Sequence, residues 1–364
     1  MAGFKIRTVT LHIESNASIE DVTSIAMKML EARDIAGSNT GIEVESVRIT
    51  FPDPESMEKV RERIRGVEDL GGEDLIISIG NIKSSTSWLE EAIVELAREG
   101  LYAGIILEEA SWEEAKRVSK LLHIMSEEDP SLATHIGVNT LGIPIVTPYY
   151  PLSHSPGAGR IATVALTYPN YLKDEYLRNG IDGIRRAVLE AGSTALNVLD
   201  GIAKLVDAEA VGVDLSIAPW MEESTLGLVE LVAGTRMPKP GFALGLQVLN
   251  SILAVQASKT RSIGFNEVQL PVAEDLKMKA RVSEGETTAS TLARLSGACL
   301  AGLDLVVVPA SIEDVAGLIL EVAAYSRSKG KVLGARIIPV EGVEPGDKVY
   351  LEKFGETPVI PISP

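Results

Sequence analysis

A repeated switch between two hydrophobic periods constrains this chain more than any other feature. Apolar residues recur at every second position in one segment and at every third or fourth in the next. KIRTVTLHI (5–13) alternates and reads as a strand. Ser18 then precedes a helical pattern over 19–33, with Asp21 where a full capping box wants glutamate or glutamine. Strand-like segments follow at 41–50, 74–80, 101–109, 159–169, 208–219, 303–309 and 335–339. Helical patterns fill 55–66, 86–99, 112–127, 172–206, 222–234, 241–257, 288–301 and 312–328. This alternation predicts an α/β fold of parallel strands joined by right-handed crossovers. The units are too many for a minimal nucleotide-binding fold, which leaves a closed barrel or a large open sheet. The tail from Asp347 to Ile362 carries period-2 pairs around Gly355 and predicts a β hairpin. No charge run, linker or repeat divides the chain, so 1–364 reads as one domain that includes the tail 340–364.

Composition narrows the partners. Lys and Arg number 34 against 51 Asp and Glu, a net charge of −17. A surface so acidic repels phosphate backbones and anionic membranes, which argues against nucleic acid and membrane partners. A single cysteine, Cys299, excludes an intrachain disulfide and suits a reducing compartment. No stretch approaches the roughly 18 apolar residues of a membrane span, and MAGFKIRTVTLHI lacks a leader pattern. The expectation is a soluble cytoplasmic protein. Glutamine occurs only at 247, 256 and 269, a thermophile signal.

Candidate site residues are polar positions inside strand patterns and in one irregular loop. In VGVDLSI (211–217), Asp214 and Ser216 share a face opposite Val211, Val213 and Leu215. A mid-strand carboxylate suggests a polar interior, because a buried charge needs a partner, a metal or water; the plainer role is a loop cap or a pair with an internal arginine. On the first strand, Arg7, Val9, Leu11 and Ile13 face one way. Thr8, Thr10, His12 and Glu14 face the other, where His12 and Glu14 read as an acid–base pair or as a satisfied strand-end histidine beside a solvated glutamate. Glu108 and Glu109 end another strand and suit a helix dipole. PVAEDLKM (271–278) offers Glu274 and Asp275, of which one enters a pocket or both sit in a solvated turn. Arg336 is a lone charge in ARIIP and either neutralises an internal carboxylate or binds an anion.

The Pro- and Gly-rich segment 137–158 carries Tyr149, Tyr150, Ser153 and His154, and loops of this kind build sites on α/β scaffolds. No phosphate loop, strand-to-helix GxGxxG, HExxH, paired CxxC or GxSxG motif occurs. With four histidines and one cysteine, a metal would be held by carboxylates such as Asp214, Glu274 and Asp275, which suits Mg²⁺ or Mn²⁺. Two functions follow. One is a small-molecule enzyme with Asp214, Glu274 and His154 as catalytic candidates, and Tyr149, Tyr150, Ser153, Ser216 and Arg336 around the substrate. The other is a non-catalytic metabolite-binding or homo-oligomeric scaffold protein with the same pocket.

VGVDLSIAP (211–219), LPVAEDLKM (270–278), GLDLVVVP (302–309), ARIIP (335–339) and GDKVYLEKFGETPVI (346–360) resemble strings of the uncharacterised-protein family 0210, also called domain of unknown function 711. VNTLGIPIVTP (138–148), YYPLSHSPGAG (149–159) and KIRTVTL (5–11) add to the match, while much of 15–135 departs from the longer bacterial pattern. The resemblance implies a closed barrel of about ten βα units, similar in fold to glycyl-radical enzymes such as pyruvate formate-lyase, and no known activity. RVSEG (281–285) differs from the radical string by Glu284, and no aromatic follows Gly285. Cys299, the one thiol, reads as a helix residue packed in the core.

Overall fold

The computed structural model describes residues 3–68, 70, 74–300 and 302–364. The first half runs β1 (Lys5–His12), α1 (Ile19–Thr40), β2 (Val47–Thr50), α2 (Met57–Val67), β3 (Leu75–Lys83), α3 (Leu89–Arg98), β4 (Tyr102–Ile106), α4 (Trp112–Glu128) and β5 (Ile136–Asn139). The second runs β6 (Ile161–Thr167), α5 (Pro169–Leu205), β7 (Glu209–Asp214), α6 (Thr225–Ala233), α7 (Phe242–Ala257), α8 (Leu276–Ser283), α9 (Ala289–Leu295), β8 (Val306–Pro309), α10 (Ile312–Lys329), β9 (Gly334–Ala335) and β10 (Ile337–Val340). The predicted C-terminal hairpin is β11 (Lys348–Leu351) and β12 (Gly355–Pro358), paired antiparallel.

Local chemistry starts these helices as the sequence suggests. Ser18 caps α1 and accepts from the Asp21 amide, and the Asp21 carboxylate returns the contact, so aspartate completes the capping box in place of glutamate. The stretch 172–206 is not one straight helix: Gly180, at φ 62° and ψ −150°, divides α5. The pattern over 288–301 yields only α9, and Cys299 lies in the turn beyond it, because Gly297 and Gly302 interrupt the run.

Eight strands form the central sheet in the order β7-β6-β1-β2-β3-β4-β5-β9. β1 to β5 are mutually parallel, as the alternation predicts. The sheet is not parallel throughout: β6 runs antiparallel to β1, and β9 antiparallel to β5. The reversal comes after β5, where no helix precedes β6, and a right-handed crossover needs one. β8 and β10 pair in parallel. Backbone contacts continue beyond β7, with Val213 N on Arg261 O at 2.9 Å, Gln269 N on Ile217 O at 3.0 Å and Val272 N on Asp304 O at 2.9 Å. One hydrophobic cluster extends from Phe4 to Ile360. Among the described residues no helix is long and apolar enough to cross a membrane.

The helix-free connection 140–160 packs against the sheet instead of covering its edge. Thr10 and Arg48 donate to Pro148 O, at 3.2 and 3.1 Å, and Ser155 Oγ donates to Ile13 O at 2.5 Å. Leu152 sits where three neighbouring strands have glycine. A Cβ on Gly137 or Gly334 would stand 3.1 or 2.8 Å from the Leu152 methyl groups, and one on Gly104 3.4 Å. At Gly137 and Gly334 the strands lack side chains because a loop residue occupies the space, whereas at Gly104 the nearest atom is Asn81 Oδ1, 2.0 Å from such a Cβ.

Candidate functional site

A cavity of about 630 Å³ lies where the strands of the first half begin. Arg7, Arg48, Ile76 and Tyr102 line it, each within the first three residues of β1 to β4. Trp220, Phe265, Gln269, Glu274, Asp304 and Arg336 line it from the second half. Tyr149 to Leu152 form one wall, and the hairpin turn Glu352–Phe354 another.

Arg7 reaches this cavity because β1 is irregular. Strict alternation would group it with Val9, Leu11 and Ile13, but the register with β6 shifts between Ile6 and Thr8. Its guanidinium donates to Glu274 Oε2 at 2.6 Å and to Pro219 O at 2.8 Å. Arg336 donates to Glu274 Oε1 at 3.3 Å and Asp304 Oδ2 at 2.9 Å, and its Nε binds Asp304 Oδ1. Burial works to raise the Glu274 carboxyl, but Arg7 and Arg336 outweigh it and hold Glu274 below the ordinary carboxylate value. Among the described residues Arg48 makes no carboxylate pair; it lies 5.0 Å from the Tyr150 ring centroid and donates to Pro148 O. Burial and then repulsion from Arg7 lower its guanidinium to about 10, still cationic at neutral pH. Burial, reinforced by the Asp214 charge, raises the Tyr149 hydroxyl, and burial also raises that of Tyr150.

Glu274, Tyr149, Tyr150 and Arg336 thus come together in one cavity. The other sequence candidates lie outside its lining. Asp214 is buried and accepts from Ser216 N, Ser216 Oγ, Phe265 N, Asn266 N and Thr147 Oγ1, at 2.9, 2.6, 2.8, 3.0 and 3.3 Å. Ser216 Oγ also accepts from Glu267 N at 3.1 Å. Asp275 caps α8 through Lys277 N and Met278 N, and accepts from Leu226 N in the first turn of α6 at 3.0 Å. Ser153 donates to Thr147 O at 2.8 Å and meets the Thr50 hydroxyl.

His154 emerges at the opposite ends of the strands, its Nδ1 3.1 Å from Asp53 Oδ2. His12 is buried there too, with Nδ1 2.9 Å from His154 O and Nε2 3.0 Å from Thr163 Oγ1, and Glu14 pairs with Arg160 at 2.6 Å. Lys83 pairs with Glu108 at 3.2 Å, and the Glu108 and Glu109 amides donate to Glu114.

Asp214, Glu274 and Asp275 do not form a carboxylate-rich Mg²⁺ or Mn²⁺ site. Among the described residues no group of three or more His, Cys, Asp or Glu is placed to hold a metal ion. The oxygens of Asp214 and Asp275 meet amides and hydroxyls, and those of Glu274 meet arginines.

The sequence reading missed Arg7, Arg48, Trp220, Gln269 and Asp304. For Asp304 the signal was present: it is the lone charge in the apolar strand pattern 303–309, as Arg336 is in 335–339.

Residues 158–352, just over half of the chain, match the family described as Uncharacterised ACR (DUF711). A UPF0210 protein of Methanopyrus kandleri is 33% identical over 53% of this chain and 44% of its own length. One from Pyrobaculum arsenaticum is 26% identical over 78% of this chain and 66% of its own length. One from Sulfurisphaera tokodaii is 26% identical over 95% of this chain and 87% of its own length. The chain therefore spans less than two thirds of the first two relatives. The sequence match and the blocks flanking the cavity agree, and the chain belongs to the uncharacterised DUF711 family, whose curated members carry the name UPF0210.

Proposed function

We infer that this cavity binds a small organic molecule and that recognising it is this chain's function. The observation that carries the reading is three guanidinium groups, Arg7, Arg48 and Arg336, on the wall of one aromatic-lined cavity. Removing an ion from water costs several kcal/mol, and a fold that needed only stability would place apolar side chains there. Pairing of both Glu274 and Asp304 with arginine favours binding over acid–base catalysis, since neither carboxylate is a free base. The enzyme reading has its own support: Glu274, Tyr149, Tyr150 and Arg48 are shifted titratable groups around one cleft. In that reading a ligand draws both Arg7 and Arg336 away from Glu274 and frees it as base. Asp214, Asp275, Ser153 and Ser216 act as framework in either case, and the Asp53–His154 pair belongs to the far end.

The same reading includes closure of the sheet. The contacts from 261–269 onto β7, from Val272 to Asp304 and between β8 and β10 support a ring of about ten strands. The cavity is then its lumen, the ring is one domain, and the architecture is that of the glycyl-radical barrels. Radical chemistry is outside the reading, because Gly285 ends α8 and Cys299 is in the core, neither lining the cavity. The single cysteine supports a cytoplasmic location.

Untargeted mass spectrometry of molecules released from the purified chain tests the function. We expect a species near one equivalent from wild type and its loss from Ile76→Trp, which fills the cavity mouth. An identical profile from both proteins overturns the reading.

A further inference from the structure

Which hydrogen-bonding groups around the cavity are left over identifies what is missing from it. Arg48 Nε and Gln269 Nε2 have no acceptor among the described residues, although both side chains are buried, at 9% and 7% exposure. Both residues line the cavity. The orphan groups are donors. The acid oxygens deep in the same wall, those of Glu274 and Asp304, already receive arginine. A buried donor without an acceptor keeps its full desolvation cost, which a resident group that accepts from it offsets.

The charges agree. Deep in the wall, Arg7 and Arg336 pair with Glu274 and Asp304, and among the described residues Arg48 has no carboxylate partner. The other acids of the lining lie toward its rim: Glu43 and Glu45 share Lys5 at 2.9 and 3.5 Å, Asp74 pairs with Arg33 at 3.0 Å, and Glu352 adjoins Lys353 in sequence. One negative charge on Arg48 completes the pairing of the deep wall. The walls define the rest of the ligand. Tyr102, Tyr149, Tyr150, Trp220, Phe265 and Phe354 all line this one cavity, in a chain with 5 Phe, 3 Trp and 8 Tyr. Aromatic walls of this density suit a flat or apolar body.

We propose that the ligand is a small monocarboxylate, its carboxylate on Arg48 and Gln269 and its apolar body between the aromatic walls. The proposal rests on the reading of the cavity as a ligand site. Carboxylate suits the planar fork of arginine, with Gln269 as a neutral second donor.

The test uses matched fragments built on phenyl, indolyl and cyclohexyl bodies, each as carboxylate, primary amide, primary amine and phosphate monoester. Binding to the full chain is read by ligand-observed NMR, for wild type, Arg48→Gln and Gln269→Leu, with circular dichroism to establish folding. We expect at least one carboxylate to bind tenfold or more tightly than its amide and amine. Arg48→Gln should weaken it at least tenfold and Gln269→Leu severalfold; the second variant serves if the first does not fold. Equal or tighter binding of amide, amine or phosphate overturns the carboxylate and leaves the cavity reading standing. Carboxylate binding indifferent to both substitutions also overturns it. Failure of every fragment class to bind overturns the proposal and the cavity reading together.

Discussion

At the residue scale, Asp214 and His12 show how buried polar groups on this sheet are used. Five donor atoms converge on Asp214, and a Cβ on Gly264, itself at φ +78°, would stand 2.2 Å from Asp214 Oδ2. The carboxylate therefore ties the 264–266 turn and Thr147 to the end of β7. Asp214→Asn presents an amide N–H₂ to at least two donors, each left unsatisfied at about 1–3 kcal/mol. We expect a stability loss of about 3–5 kcal/mol by denaturant titration, and an unchanged midpoint would show that those donors find other partners.

His12 meets a backbone carbonyl through Nδ1, so that nitrogen carries the proton and Nε2 accepts from Thr163. Burial lowers its pKa to about 4, and burial does the same for His135. Between about 6.5 and 4 the unfolded chain takes up protons that the folded chain refuses, so stability falls as pH drops through that window. His12→Gln should flatten part of that slope in melting curves taken from pH 7 to 4. The sequence placed Asp214 and His12 on inward faces. It could not say that their partners came from turns 51 and 142 residues away, since alternation reports a face and not what meets it.

At the element scale, the connection after β5 decides the interior. Its prolines and tyrosines marked it in the sequence as a segment with a job, and Tyr149 and Tyr150 do line the cavity. The route it takes was hidden, because the space for it is recorded as missing side chains on other strands, at Gly137 and Gly334. Arg7 was hidden for a related reason: one register shift in β1 reverses the face that a period of two assigns. Gly334→Val puts methyl groups into the Leu152 side chain and should destabilise the chain by about 1–3 kcal/mol. Leu152→Ala in the same molecule should recover part of the loss, measured as a double-mutant cycle. Strict additivity would mean that the loop and β9 do not press on each other.

At the scale of the whole molecule, most of the strand–helix order was legible, but β5 and α8 were not assigned and strand direction left no signal. Hydrophobic period is the same whichever way a strand runs, so the reversal at β6 and β9 left no mark in it. One core continues from Phe4 to Ile360, and the hairpin packs Val349, Leu351 and Val359 against Leu305, Val307 and Ile338. Calorimetry should therefore record a single unfolding transition, and removing residues 341–364 should abolish that transition instead of trimming it. Two separated transitions in the intact chain would divide it into independent units. The position of Leu152 has a further consequence for traffic. Tyr149 to Leu152 stand between the cavity at the strand beginnings and the Asp53–His154 pair at the strand ends. A ligand held in the cavity would therefore exchange with solvent on the side where the strands begin, away from the Asp53–His154 pair.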